Sequence, residues 1–304
     1  MAIELTILGC GSATPTLNRN PTSQHLRIQS TDILIDCGEG TQMQCLKSKI
    51  KINKIRAVFI SHLHGDHYLG LPGLISSMHL MGRQNLLTVY GPAPLEKIIN
   101  MQLEVSQTRL KYPLEFVVIN HEEGELLAEF PEFSVHSFPL KHRIPCAGFI
   151  FRENPRPRRL SESAVKDYSI PMTHFKRIKL GEDYVDDNGS VISNNLLTSD
   201  PLPSVSYAYC SDTAPDPSVT RALKNVDHLY HEATFLEELA ERAFETFHST
   251  ALQAAKTAVN ANVKHLLIGH FSSRYGDSLP LQHEAATIFP GVIAVEDGMK
   301  FILE

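Results

Sequence analysis

The chain has 304 residues, enough for one large domain or two small ones, and a chain of that size buries roughly 75% of the surface its unfolded form exposes, so its core needs no staples. A formal charge of -6 argues against coating nucleic acid by bulk electrostatics, and the five scattered cysteines, with no Cys-x-x-Cys pair, read as buried free thiols in a reducing compartment. The N-terminus "MAIELTILGCGS" lacks a basic region and carries Glu4 where a secretory signal is apolar, and no segment reaches the apolar length of a membrane span; a soluble cytoplasmic protein with no membrane partner is expected.

From the N-terminus, short β-branched runs alternate with helical spacing. The runs "IELTILG", "DILID", "RAVFIS", "LLTVYG", "LEFVVI" and "FSVHSF" read as strands, and Leu69 to Met81 and Pro94 to Val105 as helices. A polar, proline-rich stretch follows, with the turn signals "DDNGS" and "SNN". It reads as an excursion from the core: an insertion of about residues 152–203 within a single domain of residues 1–304. Alternation then resumes, with "VSYAYCS", "VDHLYHEA" and "VKHLLIGH" as strands and Leu236 to Phe244, Thr250 to Asn260 and Leu281 to Ile288 as helices. Two βα-rich halves flanking a polar stretch predict an α/β sandwich of two sheets with helices outside. Inside the excursion, Arg152 to Lys179 holds eight basic residues against three acidic ones, a local +5 that leaves about -11 elsewhere and suits a phosphate backbone.

The densest chemistry lies in "SHLHGDH", Ser61 to His67. If "RAVFIS" is a strand, His62 and His64 leave its end with period-2 spacing and point the same way; Gly65 lets the chain turn, and Asp66 and His67 open the next helix. Four ligand-type residues in six positions point to metal, and they exceed the three that a catalytic zinc takes, which suggests two ions. His142 in "FPLKHRIP", Asp212 in "YAYCSDT" and His270 in "LLIGHFSSRY" each follow a strand-like run and would complete two sites. Imidazole and carboxylate suit zinc, and no thiolate stands among the candidates. A metal pair can stabilise both the attacking and the leaving oxygen of an in-line phosphoryl displacement. Departure of an alkoxide also needs a proton, and His248, placed just before Ser249 as the expected N-cap of the alanine-rich helix, is the candidate donor.

With "HLHGDH", the later His142, "SDT", "HEAT", "HST" and "HFSSRY", the chain resembles tRNase Z, the tRNA 3′-processing endoribonuclease of the metallo-β-lactamase superfamily. The likeness runs from "LGCGSATPT" to "VEDGMKFIL" and leaves out the excursion. The resemblance implies a four-layer αββα sandwich with an inserted substrate-binding arm. It also implies a dinuclear zinc phosphodiesterase, with two zinc ions per chain, that cuts the 3′ trailer from precursor tRNA, leaving a 3′-hydroxyl on the tRNA and a 5′-phosphate on the trailer. His62, His64 and His142 would hold one zinc, Asp66, His67 and His270 the other, and Asp212 would bridge them. Asp66 would also orient the attacking water, and Glu232 of "HEAT" would orient His248. Arg19 and Asn20 of "PTLNRNPTS" would stand near the scissile bond, with Ser273 and Arg274 holding phosphate oxygens. A homodimer is implied, one subunit's arm gripping tRNA cut by the other. The sequence departs from the family pattern in the arm, where "IPMTHFKRIKLGED" replaces the expected Gly-Pro signature. A small-molecule phosphodiesterase and a catalytically silent RNA-binding scaffold are the rival readings; a diiron redox centre is disfavoured by His64 standing where that branch carries Glu.

Overall fold

The computed structural model describes residues 3–304 and divides into two compact units: a larger one that ends its first part at Arg152 and resumes at Val205, and a smaller one of Glu153–Ser204. The larger unit holds two seven-stranded sheets. From edge to edge the first is Lys300–Leu303, Ile3–Gly9, Ser23–Ile28, Thr31–Ile35, Ile55–Phe59, Leu87–Gly91 and Leu114–Val118. Its first four strands pair antiparallel and the rest parallel. The second sheet is Ile293–Ala294, His265–Gly269, His228–Glu232, Ser206–Cys210, Cys146–Glu153, Phe133–Leu140 and Leu126–Glu129, with its first four strands parallel.

Four layers follow from which faces are apolar. Between the sheets, Ile3, Leu5 and Ile7 of the first meet Phe149, Phe151 and Tyr207 of the second, and the Phe59 ring lies 5.5 Å from those of Phe149 and Phe151. Outside the first sheet, Leu34 and Val58 pack with Leu71, Leu74 and Met78 of the helix Leu71–Leu80 and Leu95 and Ile99 of Pro94–Val105. On the second sheet, Leu229 and Leu266 belong to the cluster that takes in Ala254, Ala255 and Ala258 of Ala251–Asn260. Alanine lets that helix approach closely, and its start differs from expectation. Thr250, not Ser249, is the N-cap, because Gln253 stands three residues on and closes a capping box. Likewise, the helix expected over Leu236 to Phe244 is a 3-10 turn, Glu237–Leu239, followed by a helix Ala240–Thr246.

Five strands of the two sheets lie outside the runs expected as strands: Ser23–Ile28, Leu126–Glu129, Cys146–Glu153, Ile293–Ala294 and Lys300–Leu303. Ser23–Ile28 is buried through polar residues, since His25 meets Asp32 Oδ1 at 2.9 Å and Arg27 Nε donates to the same oxygen at 2.8 Å. In Cys146–Glu153, the residues from Cys146 to Phe151 form a continuous apolar run and all are buried, the mark of a strand covered on both faces.

The smaller unit has a core of its own, Ala164, Ile170, Ile178, Tyr184 and Leu197, with the two-stranded pairs Arg159–Leu160 with Thr198–Ser199 and Tyr184–Val185 with Val191–Ile192. The local +5 does not extend over the whole unit. Glu182, Asp183, Asp186, Asp187 and Asp200 follow the basic window, so over residues 153–204 seven basic residues stand against eight acidic ones, a net of -1. Arg156 pairs with Glu153, Arg158 with Asp200 and Arg177 with Glu182. Among the described residues, Arg159, Lys166, Lys176 and Lys179 carry no ion pair.

Candidate metal centre and active site

The site is built where strands end. His62 follows Ile55–Phe59, His142 follows Phe133–Leu140, Asp212 follows Ser206–Cys210, Glu232 closes His228–Glu232, and His270 follows His265–Gly269. Carboxyl ends of parallel strands collect loops on one edge of an α/β sheet, so residues far apart in sequence converge. The short helix Gly65–Tyr68 is drawn against the loop after Thr31–Ile35: Cys37 N donates to His67 O at 2.7 Å and Gly70 N to Cys37 O at 2.9 Å. Only glycine allows that approach, because a Cβ on Gly70 would lie 2.1 Å from the Gly38 carbonyl oxygen.

All seven expected ligands converge. Ligand atoms of His62, His64, His142 and Asp212 lie within 4.8 Å of one another, as do those of Asp66, His67 and His270, and a third grouping joins Asp212 to His248 and His270. In the first trio, His64 Nδ1 lies 3.0 Å from His62 Nε2 and 3.1 Å from His142 Nε2. Asp212 stands between the trios and offers an oxygen to each. Oδ2 is 3.6 Å from His62 Nε2 and 3.8 Å from His142 Nε2, while Oδ1 is 3.4 Å from His67 Nε2 and 3.1 Å from His270 Nε2. Asp66 Oδ2 takes the Ala13 N–H at 2.8 Å and sits 3.4 Å from His67 Nε2 and 3.5 Å from His270 Nε2.

The electrostatics match ligands drawn together. Burial holds His62, His64 and His142 below the ordinary imidazole pKa, which leaves them neutral with lone pairs to give. At His67 burial opposes charge too, but Asp212, Asp66 and Asp36 outweigh it and raise its pKa well above the usual value. Burial would raise the Asp212 carboxyl, yet His270 and His67 beside it hold it well below the usual range. Most telling, the buried Nε2 atoms of His67 and His270 have no hydrogen-bond partner among the described residues. Orphaned buried nitrogens facing two carboxylates fit metal ions, and an all-imidazole and carboxylate set fits zinc.

A cavity of about 580 Å³ opens on this cluster, with His64, Asp66, His142, Asp212 and His248 in its wall. His248 Nδ1 meets Glu232 Oε1 at 3.0 Å, and its Nε2 is 4.0 Å from Asp212 Oδ2. Burial disfavours charge on His248, but Glu232 outweighs it and lifts the pKa to about 9. Glu232, fully buried, also accepts from Thr213 N at 3.1 Å, Ser249 N at 2.9 Å and Thr234 N at 3.0 Å.

A family model described as anti-Pycsar protein Apyc1 matches residues 3–153. Ribonuclease Z of Parabacteroides distasonis is 46% identical over 297 residues, covering 98% of this chain and 98% of the relative. The chain belongs to the ribonuclease Z family. Among solved structures, human tRNase Z, short form, matches with a TM-score of 0.71 and 26% identity over 99% of each chain. The metallo-β-lactamase fold protein YhfI of Bacillus subtilis matches with a TM-score of 0.69 and 18% identity over 99% of this chain and 100% of that one, a likeness of fold. The two sheets with outer helices are that fold.

In this ribonuclease Z family member, none of the four expected substrate contacts, Arg19, Asn20, Ser273 and Arg274, is in the cavity wall. Arg19 is buried; its Nη1 donates to Tyr275 O at 2.6 Å and its guanidinium lies 5.3 Å from the centre of the Phe271 ring, so it braces the loop instead of facing the cavity. Asn20 is likewise engaged, its Nδ2 donating to Asp297 Oδ2 at 2.8 Å. Arg274 Nε donates to Ser272 Oγ at 3.1 Å and its guanidinium covers the Phe235 ring, and neither it nor Ser273 lines the cavity. Arg143 does line it, with Nη2 3.2 Å from His64 Nε2. Arg143 adjoins His142 in the motif, which was the available signal.

Sequence reasoning also missed Asp36. Its Oδ2 meets His67 Nδ1 at 2.7 Å and accepts from Ser61 Oγ at 2.9 Å and Tyr209 Oη at 2.6 Å. A carboxylate on the far nitrogen of a ligand histidine fixes its tautomer and orientation. The signal was present as an aspartate at the end of "DILID". Phe247, in the left-handed region at φ 57°, presents its carbonyl to His142 Nδ1 at 3.0 Å and does the same service there.

Proposed function

We propose that this chain removes the 3′ trailer from precursor tRNA by hydrolysing one phosphodiester bond, leaving a 3′-hydroxyl on the tRNA and a 5′-phosphate on the trailer. Family membership supports an endoribonuclease that processes tRNA 3′ ends, and the observation that carries the chemistry is Asp212 offering one oxygen to each ligand trio. His62, His64, His142 and Asp212 would hold one zinc ion, and Asp66, His67, His270 and Asp212 a second. Bound there, the metal pair would supply a nucleophile at neutral pH and offset charge on the phosphoryl oxygens.

The remaining work falls to the chain's own residues. Asp66, anchored by the Ala13 N–H, orients the attacking water in line with the departing oxygen. His248, with its pKa lifted to about 9, carries both ring protons at neutral pH and passes the Nε2 proton to the O3′ leaving oxygen. Glu232 keeps the Nδ1 proton engaged, so that Nε2 is the nitrogen presented to the cavity. Arg143 at the cavity wall suits a non-bridging phosphate oxygen. The Glu153–Ser204 unit is read as the tRNA-gripping arm, through Arg159, Lys166, Lys176 and Lys179, and the enzyme as a homodimer.

The decisive experiment incubates the zinc-loaded protein with a precursor tRNA and, separately, with bis(p-nitrophenyl) phosphate. A single cut beyond the acceptor stem, a 3′-hydroxyl on the tRNA product, and a specificity constant far above that for the simple diester are expected. Preference for the simple diester would replace this reading with a small-molecule phosphodiesterase.

A further inference from the structure

Thr234 is buried, and no motif role explains why its hydroxyl lies among three functional side chains. Its Oγ1 is 2.8 Å from Glu232 Oε2, 3.0 Å from His270 Nδ1 and 3.3 Å from His248 Nδ1. Proton accounting restricts this cluster. A hydroxyl has one proton and accepts with its lone pairs, while an ionised carboxylate only accepts. The Thr234 proton therefore goes to Glu232 Oε2, and Thr234 Oγ1 must accept from His270 Nδ1. That places the His270 proton on Nδ1 and leaves Nε2 bare, which is the buried nitrogen with no hydrogen-bond partner among the described residues, 3.1 Å from Asp212 Oδ1. The other Glu232 oxygen, Oε1, takes the His248 Nδ1 proton at 3.0 Å. One carboxylate thus sets the tautomer of one histidine directly and of a second through a single hydroxyl.

We propose that Thr234 is a positioning residue: its hydroxyl holds His270 in the Nδ1-protonated form that a metal requires and ties that ligand to the carboxylate that orients His248. The proposal rests on reading His270 as a metal ligand and His248 as the proton donor. Filling of the metal site and readiness of the acid then depend on one shared network. A purely packing role for Thr234 makes the opposite demand on its side chain, because its γ-methyl would matter and its hydroxyl would not.

Thr234→Val keeps the shape and removes the hydroxyl, whereas Thr234→Ser keeps the hydroxyl and removes the methyl. Zinc affinity is measured by competition with a chromophoric chelator in the absence of RNA. Thr234→Val should weaken binding about 10–100-fold, the range for loss of a partner behind a metal ligand, while Thr234→Ser stays within about threefold of the wild type. Cleavage of precursor tRNA should follow the same order. Should the valine variant fail to fold, ¹⁵N shifts of the wild-type His270 ring and the serine variant decide: the proton must reside on Nδ1, and serine must preserve zinc affinity. Valine binding zinc as the wild type does, serine as damaged as valine, or a proton on Nε2 would each overturn the proposal. A wild-type protein that binds zinc with this pattern yet does not cut precursor tRNA would instead sink the functional reading and leave the Thr234 assignment standing.

Discussion

At the scale of single residues, His248 and Asp212 are separated by 4.0 Å and by role. On the proposed function His248 is a proton donor outside the ligand set, so His248→Ala should keep its metals and bind precursor tRNA nearly as well, while its cleavage rate falls by about 10²–10⁴. A nitrophenyl ester, whose leaving oxygen needs no proton, should lose much less. Glu232→Gln should show the same leaving-group dependence with a smaller loss, because the imidazole remains but is held less well. Equal damage to both substrates, or metal loss on His248→Ala, would move His248 into the metal site. Asp212 faces both trios, and elemental analysis should find about two metals per wild-type chain, as two-metal phosphoryl-transfer chemistry requires. Asp212→Ala should lose more metal than any single histidine substitution; a histidine variant that loses more would deny Asp212 the bridging position.

At the scale of elements, polar pairs inside the sheets make stability depend on pH and on caps. Asp32 lies buried between His25 and Arg27 across the paired strands Ser23–Ile28 and Thr31–Ile35. Burial alone would raise its pKa, but the hydrogen bonds from His25 and Arg27 prevail and lower it below the ordinary 3.8. Folding therefore favours the ionised carboxylate. Its contribution is present above the ordinary value and is lost as pH falls through the lowered folded value. Urea unfolding of metal-free Asp32→Asn should accordingly show a shallower stability loss below pH 3.8 than the wild type; parallel acid limbs would mean that the pair contributes nothing. The helix Ala251–Asn260 offers a second measure: Thr250→Ala breaks the capping box and should cost about 0.5–2 kcal/mol in the same titration, whereas Ser249→Ala, at the position the local pattern favoured as cap, should not act through the cap.

At the scale of the whole molecule, the distribution of charge decides how RNA is approached. The protein carries -6 in all, and the smaller unit, far from being a basic block, sums to -1 over residues 153–204. Any grip on phosphate there depends on Arg159, Lys166, Lys176 and Lys179, not on net charge. Replacing the three lysines by alanine should weaken tRNA binding and flatten its salt dependence by about one unit of slope for each phosphate that is no longer neutralised, while leaving nitrophenyl ester hydrolysis intact. An unchanged salt slope would remove the unit from RNA binding. Sedimentation of the metal-loaded protein should give a dimer; a monomer of full activity would overturn that part of the proposal.

How much was legible depends on the range over which each feature is encoded. "HLHGDH", "HEAT", "HST" and "HFSSRY" are local patterns, and strand runs such as "IELTILG" carry their period within themselves, so the residues that converge at the site and the two-sheet class could be read from the sequence alone. Polar strands could not: Ser23–Ile28 is a strand because His25 and Arg27 find Asp32 on its neighbour, a pairing no local pattern records. Nor could the partners behind the ligands, since Asp36 reaches His67 across 31 positions and Tyr209 across 173. Arg19 shows the converse. Its motif placed it at the substrate, but packing against Phe271 and Tyr275, some 250 residues on, turned its guanidinium inward. Residue types and short spacings determined what chemistry the chain carries; only the tertiary structure decided which of those groups face the cavity, because orientation is set by whichever distant atom satisfies each buried donor and acceptor.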